Sequence, residues 1–266
     1  MPINRIKIYA NDNDGCKEKE VVLAKKLITK GFSLVKENPD LNIAIGGDGA
    51  FLRMIKENKY NTSSFYVGIN YGTLGFLQNI SISEMDSFIQ RLINEDFTID
   101  EISIQETEFI SNKEKKTIMS VNEIVVRKEG LEPVRLNVYI DDKFLEKYAG
   151  DGLLICTSTG STAYNLSVGG SMVFQTFHTM QITPVAPLIN SAYSNLTNSI
   201  IIPEDMKVRL EPNEKPENLL FQVDGKLEKY DNVEEINIVC KDKKIKCLRL
   251  NEHHYINTIN DKFLRK

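Results

Sequence analysis

No apolar run in these 266 residues approaches the ~20 residues that a membrane-spanning helix needs. The opening stretch, MPINRIKIYANDNDG, has no apolar signal core and begins at once with strand-like alternation, so a cytoplasmic protein is expected. Cysteine is scarce. Cys16, Cys156, Cys240 and Cys247 are widely spaced and form no CxxC, which argues against a disulfide framework and against a zinc site. The three histidines, His178, His253 and His254, make no metal-ligand pattern with cysteines or carboxylates, and the adjacent pair reads as a surface helix start. A nucleophile-elbow motif is missing, which removes the Ser-His-Asp hydrolases. Positive charge is not in excess: the formal net charge is -4, against a general nucleic-acid or membrane-surface role. Internal repeats and low-complexity tracts are absent as well.

What is present is an ordinary soluble composition, 41% hydrophobic and 26% charged, in a length that suits one large domain or two modest ones. Residues 1–100 alternate strand and helix signals, the pattern of an α/β layer fold. The spacing predicts a helix over 17–29 with Val21, Ala24, Leu27 and Ile28 on one face and Gly31 at its end. Buried strands are expected over 41–45 and 65–70, and an amphipathic helix over 83–95 carrying Met85, Phe88, Ile89, Leu92 and Ile93. From 101 to 250 the texture changes to strands with polar turns, an all-β sandwich of two packed sheets. Asp141-Asp142 and residues 241–244 read as hairpin turns, the second placing Cys240 and Cys247 opposite each other. Cys156 reads as core. Residues 251–266 are helical again, with Tyr255, Ile256, Ile259 and Phe263 on one side, and can return to the first domain.

The most informative stretch is LNIAIGGDGAFLR, residues 41–53. An apolar strand stops at Gly46-Gly47-Asp48-Gly49, and a helical pattern starts with Ala50, Phe51 and Leu52. Strand, glycine turn and helix start make a place where backbone N–H groups meet phosphate. Asp48 is the odd element, because a carboxylate repels phosphate. It fits if a metal bridges the two, or if it takes a proton from a hydroxyl about to be phosphorylated. The alternative is a glycine turn in which Asp48 only caps the helix.

Four further stretches carry candidate chemistry. YGTLGFL (71–77) follows a strand and reads locally as a connector whose Phe76 and Leu77 dip into the core. Asn122 and Glu123 sit inside the run VNEIV, where side chains alternate, so they serve one ligand only at a strand end or bulge. GDGLLICTSTGSTAY (150–164) ends a buried strand in hydroxyl groups around Gly160, which let a ligand approach the backbone closely, before a helix running through Tyr164 and Ser167 to Gly169-Gly170. Asp224-Gly225 reads as a hairpin turn.

Taken in order, GGDG (46–49), GINYGTLGFL (68–77), NE (122–123), GDG…TSTGSTAYNLSVGG (150–170) and VDG (223–225) resemble the bacterial NAD kinases, across most of the chain. The resemblance implies an α/β N-terminal domain that handles the phosphate donor, a β-sandwich that binds NAD, and a C-terminal helix returning to the first domain. It implies phosphorylation of the 2′-hydroxyl of the adenosine ribose of NAD to give NADP, with ATP or polyphosphate as donor and Mg²⁺ as divalent metal. By the same resemblance Asp48 is the catalytic acid/base, Gly46, Gly47 and Gly49 lie on the phosphate side, and Arg53 matches a basic residue there. Asn122 and Glu123 match the pair that holds ribose and cofactor. Asp151, Thr159, Thr162, Ala163, Tyr164, Ser167, Ala186 and Asp224 match cofactor-binding positions. The sequence departs from the pattern at Ser158, where the family often has Pro, at Ala149, and at Val185-Ala186-Pro187-Leu188, which lacks a His. Partners implied are NAD, ATP and further copies of the chain, a tetramer whose NAD sites borrow residues such as Asp151 from a neighbour. A carboxylate is a weak base towards a sugar hydroxyl, so Asp48 is expected to orient the oxygen first and accept its proton late. Two other readings are a lipid kinase of the diacylglycerol or sphingosine type, which also uses GGDG, and a non-catalytic dinucleotide sensor.

Overall fold

In the computed structural model, which describes residues 3–72, 75–190, 193–250 and 254–264, the run LNIAIG forms a strand, Leu41–Gly46, buried at every position. A strand apolar on both faces needs cover on both, as central parallel strands have. It lies between Arg5–Ala10 and Phe65–Asn70, parallel to both. The sheet continues outward from the first to Ser33–Leu34 and from the second to Ile245–Arg249 and Thr98–Ile102. Asp14–Thr29, Asp48–Glu57 and Met85–Ile93 are its principal helices. This unit comprises Met1–Glu101 and Lys244–Lys266.

Two helices differ in detail from the expected patterns. Asp14–Thr29 is capped by the Asn13 side chain and buries Cys16, Leu23 and Leu27, while Val21 and Ile28 are 54% and 58% exposed. Two stripes sharing Leu27 competed for the core, and Cys16, a small buried hydrophobe, belongs to the one that won. Met85–Ile93 buries Met85, Phe88, Ile89 and Leu92 as expected and leaves Ile93 exposed. It is preceded by a 3₁₀ turn with a Ser81/Glu84 capping box.

The second unit, Ile102–Lys243, is built of β-strands apart from a few short helical turns. Val134–Ile140, Val208–Pro212, Lys226–Cys240, Glu217–Val223, Glu123–Lys128 and Lys143–Thr157 pair in that order, and the last pairs back with the first. Lys143–Thr157 and Lys226–Cys240, 15 residues each, pass from one packed layer to the other, so the two layers of the sandwich are one hydrogen-bonded network. Ile124, Val126, Leu153 and Phe221 of one layer share a core with Leu136, Val138, Leu210 and Ile236 of the other. The GDG at 150–152 therefore stands at a corner within a long strand and does not begin one. A Cβ on Gly150 would meet the Tyr148 hydroxyl at 2.3 Å, and one on Gly152 would meet Arg127 and Val125 at 3.0 and 3.1 Å.

Residues 241–244 are not a hairpin turn. They lead out of the second unit into Ile245–Arg249, which pairs in parallel with Phe65–Asn70, Cys247 beside Tyr66. Cys240 instead faces Gln105 in an antiparallel pair. A polar turn between two β-type runs signals a hairpin and a crossover alike, and only the pairing distinguishes them. All four cysteines are buried thiols. Burial drives the Cys156 thiol well above its ordinary pKa, and the Cys247 thiol to about 12. Asp141 and Asp142, with φ of 46° and 61°, do form the expected hairpin turn. No helix among the described residues is long and apolar enough to cross a membrane.

Candidate active site

In the first unit the chain leaves Leu41–Gly46 at its C-terminal end and turns at once into Asp48–Glu57. Gly46, at φ +146°, has the Asn11 amide 2.8 Å from where a Cβ would stand, so the turn needs glycine. The N-cap of the helix is Gly47, with no side-chain bond, and Asp48 is its first residue. The capping reading of Asp48 therefore fails. Its carboxylate points away from its own helix, and the N–H groups of Phe76 and Leu77 donate to Oδ2 at 3.1 Å and Oδ1 at 3.0 Å. Gly75 completes the clamp, because a Cβ there would lie 2.0 Å from Asp48 Oδ1. The side chain of Gln78 donates to the Gly47 carbonyl. Phe76 and Leu77 are buried, as the connector reading expected, but their backbone is what fixes the carboxylate. Thr73 and Leu74 of that stretch lie outside the described residues. Arg53, one turn on, donates to the Ala10 carbonyl at 2.7 Å and has Glu57 3.6 Å from its Nε.

In the second unit, Asn122 sits in a bend just before Glu123–Lys128. The pair thus lies at a strand end, one of the two arrangements in which both can serve a ligand. Asp224, at φ +45° in its turn with Gly225, shapes this end: its carboxylate accepts from the N–H groups of Val121, Asn122 and Glu123 at 2.8–3.3 Å. Glu123 is 3% exposed, and its Oε2 has no partner among the described residues. Burial, then the charge of Asp224, pushes its carboxyl up to about 8, against a smaller lowering by the Tyr164 N–H. At neutral pH it is mostly a neutral acid, able to donate one hydrogen bond and accept others.

The hydroxyl-rich run packs beside this corner. Thr157 is bonded to the Val121 carbonyl through its hydroxyl, at 2.6 Å, and to that of Asn122 through its N–H, at 3.0 Å. Gly160 lies so close to the Asn122 backbone that a Cβ would meet its carbonyl oxygen at 2.1 Å. Thr159 and Thr162 bound a 3₁₀ turn, Thr159–Thr162, and Tyr164–Ser167 is a single helical turn, shorter than the helix expected there. Thr162, Ala163 and Tyr164 are half-buried, and Ser167, Asp151 and Ala186 are exposed. Arg127 joins several of them: its guanidinium donates to the Tyr164 hydroxyl at 2.7 Å and to the Asp151 carbonyl at 3.2 Å. Ala186 holds φ +45°, unusual for a residue with a Cβ. Ser158 is structural, bonded to Thr179.

Sequence reasoning read Gly75 only as part of a connector, and it missed Arg127 and Lys262, whose Nζ stands 3.6 Å from Asp48 Oδ2. Neither of these two has a local signal. The expected C-terminal helix is present as His254–Ile259, with residues 251–253 outside the described residues. Tyr255 and Phe263 pack on Phe76 as its apolar side requires, whereas Ile256 is 55% exposed and Thr258 is buried instead.

Comparison with known proteins covers both units. The ATP-NAD kinase N-terminal domain model matches residues 9–97, and the ATP-NAD kinase C-terminal domain model matches residues 121–250. An NAD kinase of Finegoldia magna is 41% identical over 268 residues, 97% of each chain. One of Bacteroides fragilis is 32% identical over 243 residues, 90% of this chain and 82% of that one. Among solved structures, yeast NADH kinase complexed with NADH superposes with a TM-score of 0.89 at 21% identity, over 100% of this chain and 89% of the other. An NAD kinase from Archaeoglobus fulgidus in complex with ATP gives 0.75 at 19% identity, over 97% and 98%. These two likenesses establish a shared fold. The two domain models and the extent of identity to the bacterial enzymes establish more: the chain belongs to the NAD kinase family.

Proposed function

We propose that this chain transfers the terminal phosphoryl group of ATP, or of inorganic polyphosphate, to the 2′-hydroxyl of the adenosine ribose of NAD, giving NADP. The observation that carries the reading is the clamped carboxylate of Asp48, presented at a glycine turn by two backbone N–H groups. In the reaction the 2′-oxygen forms a bond to the γ-phosphorus, the bond from that phosphorus to the β,γ-bridging oxygen breaks, and ADP leaves. Asp48 orients the hydroxyl and takes its proton late, as a loose transition state permits. The N–H groups of the GGDG turn, Gly46, Gly47 and Gly49, face the donor phosphates, and Arg53 adds positive charge nearby. Glu123 and Asn122 hold ribose and cofactor, the neutral carboxyl of Glu123 pairing with a sugar hydroxyl. Thr159, Thr162, Ala163, Tyr164, Ser167, Asp151 and Ala186 contribute the remaining cofactor contacts. Asp224 acts through the backbone it grips.

Among the described residues no group of three His, Cys, Asp or Glu side chains could hold a metal ion. A Mg²⁺ in this proposal would be held by few protein groups, Asp48 being the carboxylate at the phosphate-side turn, since the ion is usually bound through one or two carboxylates together with the substrate's phosphates. When bound it neutralises charge on the phosphates. The working form in this proposal is a cytoplasmic homotetramer. The exposed Asp151 at the sheet corner would be lent to a neighbour, a symmetric assembly of the common closed kind. Light scattering at micromolar protein checks it, and a monomer with full specific activity rules it out.

The test of the activity is purified protein with NAD, Mg²⁺ and ATP or polyphosphate, assayed for NADP. NADP formation is expected. No NADP, with labelled diacylglycerol phosphorylated instead, would favour the lipid kinase, which none of the relatives and models named above supports. NAD bound without turnover would make the protein a sensor.

A further inference from the structure

The C-terminal segment delivers a cation to Asp48 that the mechanism above does not use. His254–Ile259 continues into one π-helical turn, Asn260–Leu264, a rare form that recurs at functional positions. Phe76, whose N–H holds Asp48, also seats this segment. Its ring centroid lies 5.5 Å from that of Tyr255 and 6.0 Å from that of Phe263. Lys262 Nζ stands 5.1 Å over the same ring and 3.6 Å from Asp48 Oδ2. Arg53, on the Asp48 helix, is bonded to the Ala10 carbonyl and faces Glu57. An ammonium beside a base works against proton acceptance, whereas the same charge beside a moving phosphoryl group works for its transfer.

Distance brings both tasks within reach of one side chain. A hydroxyl held by Asp48 would sit about 2.6–3.2 Å from the carboxylate, and the phosphorus about 3–3.5 Å beyond it. The transferred group therefore comes within roughly 6–7 Å of Asp48. That is inside the sweep of a four-carbon stem already anchored there. We propose that Lys262 is a catalytic residue: its ammonium rests on Asp48 before the donor arrives and moves to the oxygens of the transferring phosphoryl group, with Phe76, Tyr255 and Phe263 as its mount. This rests on the kinase reading. It adds no covalent step of its own; the charge is supplied and recovered unchanged.

The test uses the full chain with NAD, Mg²⁺ and ATP. Lys262→Met should lose about 10²-fold in kcat with its KM for NAD changed less than about twofold. Lys262→Arg, which keeps the charge, should retain at least about a tenth of the wild-type kcat. Ethylammonium added to Lys262→Ala should restore turnover saturably and leave the wild type unaffected, a rescue that a packing role does not give. A Lys262→Met kcat within about twofold of wild type overturns the proposal. So does an equal loss in the Met and Arg variants without amine rescue, which would reduce the segment to packing. An active wild type with an unaffected Lys262→Met enzyme removes the proposal alone. A wild type that makes no NADP removes the kinase reading and the proposal with it.

Discussion

Asp224 and Glu123 are tied in both directions: Asp224 Oδ1 accepts the Glu123 N–H at 3.3 Å, and the Asp224 N–H donates to the Glu123 carbonyl at 3.1 Å. The same carboxylate also takes the N–H groups of Val121 and Asn122. A turn in one hairpin thereby sets the strand end that carries the Asn-Glu pair. Asp224→Ala strands those donors, at a cost of about 1–3 kcal/mol. It should lower Tm by several degrees and raise the KM for NAD more than it lowers kcat. Thermal unfolding and steady-state kinetics check this, and an unchanged KM would separate Asp224 from the cofactor site.

The pair also makes stability depend on pH. Burial and Asp224 hold the Glu123 carboxyl at about 8, against an ordinary 4.5. The folded chain therefore keeps a proton that the unfolded chain releases. The stabilisation from this group is full below pH 4.5 and is lost as pH rises towards 8. The slope is at most roughly 1.4 kcal/mol per pH unit. Glu123→Gln removes the titration, so relative to wild type the variant should gain stability between pH 5 and pH 8.5. Denaturant melts at both pH values check it; parallel profiles for the two proteins would contradict the assignment.

Gly75 gives a third test, independent of binding. A methyl at this position would sit 2.0 Å from Asp48 Oδ1. Gly75→Ala must displace the carboxylate or the 75–77 backbone that holds it. A shift of about 1 Å at a reacting group costs on the order of 10²-fold. We expect kcat to fall by that order with NAD affinity retained, measured by turnover and by equilibrium dialysis. Wild-type kcat would show that the clamp on Asp48 is irrelevant to the chemistry.

What the sequence disclosed and what it hid divide along physical lines. The GGDG turn was legible because strand, glycine and helix start are encoded within thirteen residues. The Asp224-Gly225 turn and the burial of Phe76 and Leu77 were legible for the same reason. The partners of Asp48 were not: the N–H donors lie 28 and 29 residues downstream, and backbone donors leave no side-chain signature. Lys262, over 200 positions away in the chain, reads in sequence as one more surface lysine. Residues 241–244 misled because strand pairing is decided by the sheet that receives the next strand, here one built from the first hundred residues. The helix Asp14–Thr29 misled because its choice between two apolar stripes depends on what it packs against, which periodicity does not contain.

Asp48→Asn tests the central claim most directly. The amide keeps the size of the carboxylate and its acceptor towards one backbone N–H, and it removes the base. With NAD, Mg²⁺ and ATP at saturation, kcat should fall by ~10²–10⁴-fold, roughly 3–5 kcal/mol of barrier, while NAD affinity stays near wild type. Tm should fall by a few degrees, because one of the two backbone N–H groups loses its acceptor at a cost of about 1–3 kcal/mol. An Asp48→Asn enzyme that keeps more than about half of the wild-type kcat would contradict the account, because losing a true general base costs far more.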